Sequence, residues 1–229
     1  MNNILNLRNN KKFVTSFSII FFLFSLTAIG LLIGRVFIDE NPFERFLVTI
    51  FYFTTQSNLV IFIILLLFIF KKNNKKWYSV LCFIGLIDIT ITGLVFHLFL
   101  ASYMTSIGLM QHLLHTVIPI LYLFFYFVIF SHQLQLKNFW ISLIHPLIFV
   151  VSVYTWIHPF FGDTLLRVMT DLESASYVYP FLDPSIYVRG TLGLILFNFG
   201  LLTPLIFIIS ILMILLKRKF ETSISKIIL

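Results

Sequence analysis

A chain of 229 residues that is 59% hydrophobic and 11% charged, with mean hydropathy +1.01, has too few polar residues for a water-facing surface, which excludes a soluble globule and points to lipid. The net charge of +7 is distributed as a membrane protein distributes it, so no nucleic-acid partner is expected. The single cysteine, Cys82, lies in an apolar run and excludes an intrachain disulfide, leaving a buried structural role.

Six apolar segments follow one another along the chain, at about 13–36, 45–70, 77–100, 107–130, 139–159 and 190–216. Each is close to the ~20 residues that cross ~30 Å of hydrocarbon. The first follows Arg8, Lys11 and Lys12, and no small-residue cleavage site comes after it, so a retained span is expected. If both termini are cytoplasmic, twelve of the sixteen basic residues fall inside and only Arg35, Arg45, Arg167 and Arg189 outside. The expected fold is therefore all-α, a single integral-membrane bundle of six transmembrane helices over 1–229, with both ends in the cytoplasm. The 29 Phe residues and abundant Ile suit a low-GC bacterial genome, hence a multi-pass protein of the bacterial plasma membrane. The one long outer segment, 160–189, carries Tyr177, Tyr179, Pro180, Phe181 and Leu182, too apolar for a solvated linker and suited to a lid.

The second span breaks the apolar pattern. Thr54, Thr55, Gln56, Ser57 and Asn58 put five hydrogen-bonding side chains in a row where hydrocarbon supplies no partners. Thr54, Ser57 and Asn58 share one helix face. Such a cluster either glues helices together or lines a cavity. At ~1.5 Å per residue, Thr54 lies ~13 Å in from the outer surface, and His115 and Asn198 lie at ~12 Å on the fourth and sixth spans. His115 stands four residues before Pro119, which cannot donate to the His115 carbonyl, so a kinked helix beside a histidine is expected.

Asp88 and His97 are further intramembrane groups on the third span, and His112 lies one turn before His115. Asp88 at mid-membrane must be paired or protonated, and its bonding to Thr92 at i+4 is one solution. His97 falls close to the level of His112, so His97, His112 and His115 could make a three-histidine metal site, but no established ligand spacing accompanies them, and no metal or other cofactor is expected. His132, His145 and His158 read as boundary residues without a functional role.

Three stretches taken together, FTTQSN (residues 53–58), HLLHTVIP (residues 112–119) and YVYPFLD (residues 177–183), resemble the androgen-induced-gene/ADTRP family of multi-pass membrane proteins, and TGLVFHLFL (residues 92–100) resembles its bacterial branch. The resemblance implies hydrolysis of fatty acid esters of hydroxy fatty acids, or a similar lipid ester, by an intramembrane threonine and histidine. By the FT-x-QSN pattern the threonine is Thr54, and an ungapped match to the animal members chooses Thr55 instead. The His-Thr pair ahead of a proline makes the histidine His115. Such a pair is chemically coherent, because a threonine hydroxyl needs a general base and histidine is the usual one. Gln56, Ser57, Asn58, Asn198 and Tyr179 are candidates to bind an oxyanion or orient the substrate and the histidine. The expected partner is a lipid substrate entering sideways from the bilayer. The alternatives are a transporter of a small solute or protons using Asp88 and the histidines, and a non-catalytic lipid-binding membrane protein.

Overall fold

The computed structural model describes residues 2–73, 75–101, 107–132, 134–169 and 175–228. Residues 102–106, and residues 170–174 of the expected lid 160–189, lie outside them. The described residues are helical apart from short connections, with no strand among them. A short helix α1 (Asn2–Asn9) leads through Asn10, whose side chain accepts from Phe13 N–H, into α2 (Lys11–Phe37). There follow α3 (Pro42–Phe51), α4 (Phe53–Ile69), α5 (Lys76–Leu100), α6 (Leu109–Ile129), α7 (Leu136–Val168) and α8 (Thr191–Ile224). Among the described residues five helices, α2 and α5 to α8, are long and apolar enough to cross a membrane. The number becomes six if α3 and α4 make one span.

The straight helix expected over 45–70 does not form. The chain turns 77° between α3 and α4 at Tyr52, whose backbone is extended (φ −71°, ψ 130°). No proline or glycine is responsible. The polar cluster itself supplies the bonds that a helix break leaves unmade. The Gln56 amide donates to the Ile50 carbonyl at the end of α3, 3.0 Å, and the Thr54 N–H at the start of α4 donates to the Tyr179 hydroxyl, 3.3 Å. Ser57 donates back to the Phe53 carbonyl, 2.8 Å. The counting of depth by rise per residue through Thr54 therefore fails, because α3 lies across the axis of α4. Helix α3 buries Val48 and Phe51 and exposes Phe43, Phe46 and Ile50, the amphipathic division of an interfacial helix.

Two apolar cores result. The larger joins α2, α4, α5 and α6 through residues such as Phe21, Ile61, Leu86, Tyr122 and Phe125. Gly85 lets α4 and α5 approach, since a Cβ there would meet Ile64 at 2.8 Å. The smaller core gathers Phe51, Phe53, Phe149 and Val153 with Val178, Tyr179 and Leu182. The long segment expected as a loop over 160–189 is helical to Val168, where α7 ends, and from Ala175 it forms short 3-10 turns, Ala175–Tyr177, Pro180–Leu182 and Pro184–Ile186, packed into the bundle.

The opposite end is held by charge. Helix α6 stops at Phe130, where the backbone becomes extended and its last carbonyls lose their donors. Lys217, 1% exposed, donates to the carbonyls of Tyr126 (2.6 Å) and Phe130 and pairs with Glu221 at 2.8 Å. Arg8 donates to the Val128 carbonyl and to Glu221, which ties α1 to α8. Lys217→Met leaves those carbonyls and Glu221 short of a cation, so unfolding in detergent micelles is expected to be easier by about 3 kcal/mol.

Candidate functional site

The polar residues at the start of α4 meet α6 and the turns after Ala175 at one point. Thr54 is the second residue of α4 and half-buried. Its Oγ1 lies 3.3 Å from His115 Nε2 and 3.3 Å from the Tyr179 hydroxyl. His115 Nδ1 lies 3.0 Å from the Gln111 carbonyl, which can only accept. The proton is therefore assigned to Nδ1, and Nε2 presents its lone pair to the Thr54 hydroxyl. The imidazole is also clamped in plane by Phe96, with ring centroids 3.9 Å apart and planes 14° from parallel.

Local backbone irregularity produces this placement. His115 sits in a π-helical turn, Leu113–Val117, just ahead of Pro119. Proline has no N–H for the His115 carbonyl, and the wider turn accommodates that loss. The freed carbonyl faces Gly93 of α5, where an added Cβ would lie 3.1 Å from it. Gly93 thus lets α5 come close enough for Phe96, three residues on, to stack on the imidazole. Gly93→Val is expected to push α5 away and unstack Phe96 from the imidazole without unfolding the bundle. A structure of the variant together with its thermal stability checks this, and a variant whose rings still stack would refute it.

An apolar cavity of about 300 Å³ opens beside the pair. Thr54 and Tyr179 lie on its wall, together with Phe149, Leu147, Phe181 and Ile206 among others. Its few other polar side chains are Thr92, Asn198 and Thr203. Asn198 is on this wall, but its amide donates to the Leu194 carbonyl, 3.0 Å, and it does not touch His115. The histidine is oriented by Gln111 instead.

The remaining candidates are dispersed. Asn58 donates to the carbonyls of Thr54 (2.8 Å) and Leu114 (3.3 Å), bracing the two helices that carry the pair. Ser57 is turned back on its own helix. Thr55 is half-buried on α4, one residue and ~100° round from Thr54. His97 bonds to Thr116, 3.0 Å, and His112 is exposed. Among the described residues no three of His, Cys, Asp and Glu come together as a metal site.

Gln56 belongs to a second polar chain. Its Oε1 lies 3.0 Å from His145 Nε2, and His145 Nδ1 lies 2.7 Å from Asp88 Oδ2. His145 is therefore no boundary residue, and Asp88 is paired across to α7. The other oxygen of Asp88 and the Thr92 hydroxyl are both buried without a hydrogen-bond partner among the described residues. The missed signal was a geometric one. Helix α7 starts at Leu136 and winds as a 3-10 helix to Leu143, rising ~2 Å per residue, so His145 penetrates further than a helix counted from 139 allows. An unpaired Asp88 at mid-membrane already demanded such a partner.

No protein-family model, no curated protein and no solved structure matches the chain.

Proposed function

We propose that this protein is a membrane-embedded hydrolase of lipid esters, of the kind represented by fatty acid esters of hydroxy fatty acids. Thr54 is the nucleophile and His115 its general base. The observation that carries this reading is the 3.3 Å approach of Thr54 Oγ1 to a His115 Nε2 whose lone pair faces it, at the wall of an apolar cavity. A hydroxyl and a base in that relation can form an acyl-enzyme, and an apolar chamber of this kind suits an acyl chain arriving from the bilayer. The sequence resemblance described above supports the same pair. Incubation with a fluorophosphonate probe, followed by mapping of the adduct, tests the assignment. A label on Thr54 is expected, and a label on Thr55 would transfer the role by one residue.

In the same reading the bent pair α3–α4 acts as one span, which gives six crossings with both termini cytoplasmic, as the basic residues indicate. A cysteine at position 73 is then expected to be protected in sealed right-side-out vesicles, and one at position 188 to be labelled. Val188 is fully exposed and lies on the outer connection to α8. A reactive position 73 would reverse the orientation.

One observation favours a second reading. The chain from buried Asp88 through half-buried His145 to Gln56 is of the type that carries protons in transporters. Proton flux into liposomes that stops on Asp88→Asn would support it.

A further inference from the structure

A hydroxyl adding to an ester carbonyl places negative charge on the carbonyl oxygen, and a donor must stand ready for it. Ser57 and Asn58 are committed to backbone carbonyls, Gln56 to Ile50 and His145, and Asn198 to Leu194. Tyr179 is differently placed. Its oxygen accepts the Thr54 N–H, so its own proton is directed elsewhere, and Thr54 Oγ1 lies 3.3 Å away. With the Thr54 proton given to His115 Nε2 and the Nδ1 proton to Gln111, the hydroxyls run in one direction, Tyr179 to Thr54 to His115.

The backbone that presents Tyr179 is strained. Val178 has φ 70°, a left-handed conformation that a β-branched residue seldom adopts. The Tyr179 N–H donates across it to the Tyr177 carbonyl, 2.8 Å, closing a three-residue turn of the rare, strained kind. Its surroundings enforce it. The Val178 side chain is fully buried, Tyr177 stacks on His158 at 3.7 Å, and Tyr179 stacks on Phe181 at 5.2 Å. Consecutive tyrosines are thereby sent to different partners, Tyr177 to His158 and Tyr179 to Thr54. Strain of this sort persists where a site requires it.

We propose that Tyr179 is the catalytic residue that receives the developing oxyanion, and that the strained turn at Val178 holds it in position. The proposal rests on the Thr54–His115 reading. As the bond from Thr54 Oγ1 to the carbonyl carbon forms, the carbonyl π pair moves onto oxygen and the Thr54 proton passes to His115 Nε2. The Tyr179 O–H turns from Oγ1 to the new oxyanion and hydrogen-bonds it without giving up its proton. The oxyanion pair then reforms the carbonyl, the bond to the leaving oxygen breaks, and that oxygen takes the proton from His115 Nε2. Water attacks the acyl-threonine by the same route. Burial pushes the Tyr179 phenol upward from its ordinary range, which keeps the proton available as a donor.

The experiment compares wild type, Tyr179→Phe, Val178→Pro and Val178→Gly in micelles, using a lipid ester and a fluorophosphonate probe whose adduct on Thr54 carries an oxyanion-like oxygen. Tyr179→Phe keeps the ring and its stacking, so kcat is expected to fall about 10²-fold with KM little changed, and labelling of Thr54 to slow in parallel. Proline cannot adopt φ 70°, so Val178→Pro is expected to lose as much kcat as Tyr179→Phe. Glycine adopts it freely, so Val178→Gly retains more kcat than the proline variant. Wild-type kcat in Tyr179→Phe, or a fall confined to KM, overturns the assignment while Thr54 labelling keeps the parent reading. An inactive wild type, or a probe attached away from Thr54, overturns both.

Discussion

Thr54→Ala and His115→Ala are each expected to reduce lipid-ester hydrolysis by on the order of 10³-fold or more, and the double variant to fall little further. In the proposed mechanism their side chains act as a unit through one 3.3 Å contact, so removing either removes what the other would do. Thr54→Ser keeps the hydroxyl and should keep part of the rate, although loss of the methyl group frees its rotation. Thr55→Ala should be mild, because that hydroxyl lies ~100° round the helix. Folding is not the obstacle to the test, since Thr54 and His115 are only half-buried and neither belongs to either apolar core. Turnover measured together with thermal stability decides the matter. Independent, multiplicative losses in the double variant would show that the two residues do not act together, and the cluster would return to helix–helix bonding.

The second large effect is expected at the other polar chain. Removing one member of a buried pair leaves its partner uncompensated, so Asp88→Ala or His145→Ala should cost about 3–5 kcal/mol of stability. Asp88 is fully buried and its contact with His145 is 2.7 Å. Replacing both with leucine should recover much of the loss, because burying two apolar side chains avoids the desolvation that the pair demands. Denaturation in micelles measures this. A double variant that is stable and still hydrolyses lipid ester would make the pair structural. A stable double variant in which wild-type proton flux is abolished would make it the working part of a transporter. The two outcomes separate the readings at a position that the hydrolase chemistry does not use.

Much of this was legible from the chain alone. Apolar runs of span length and the basic residues around them indicate helices at nearly the observed positions, because hydrocarbon tolerates few other solutions. Thr54 and His115 each stand out in the sequence, as polar residues placed where lipid should be and beside a proline that marks an irregular turn, but their pairing rests on the family resemblance, since the depth count that set them at one level fails at the break. What was not legible followed from departures from ideal helix geometry. The 77° break at Tyr52 has no proline or glycine to announce it, and its stabilising bonds come from Gln56 and from Tyr179, 125 residues distant from Thr54. His145 was placed too near the surface because a 3-10 stretch climbs faster than an α-helix. Gln56 looked like a member of the Thr54 site because it is adjacent in sequence, whereas its position on the helix turns it to α7. Val178 carries no sequence sign of its strained backbone, which only its packed surroundings impose.

The break between α3 and α4 also gives the protein a mechanical property. The first turn of α4 carries Thr54, while α3 exposes Phe43, Phe46 and Ile50 as an interfacial float. An apolar face of that kind suits the headgroup boundary, whereas α4 is packed among its neighbours. A thicker or thinner leaflet therefore works the joint at Tyr52 like a lever, and the load falls on the Gln56–Ile50 and Thr54–Tyr179 bonds that close it. Bilayer thickness would then bear on the hinge angle at Tyr52, and with it on the contact between Thr54 and Tyr179.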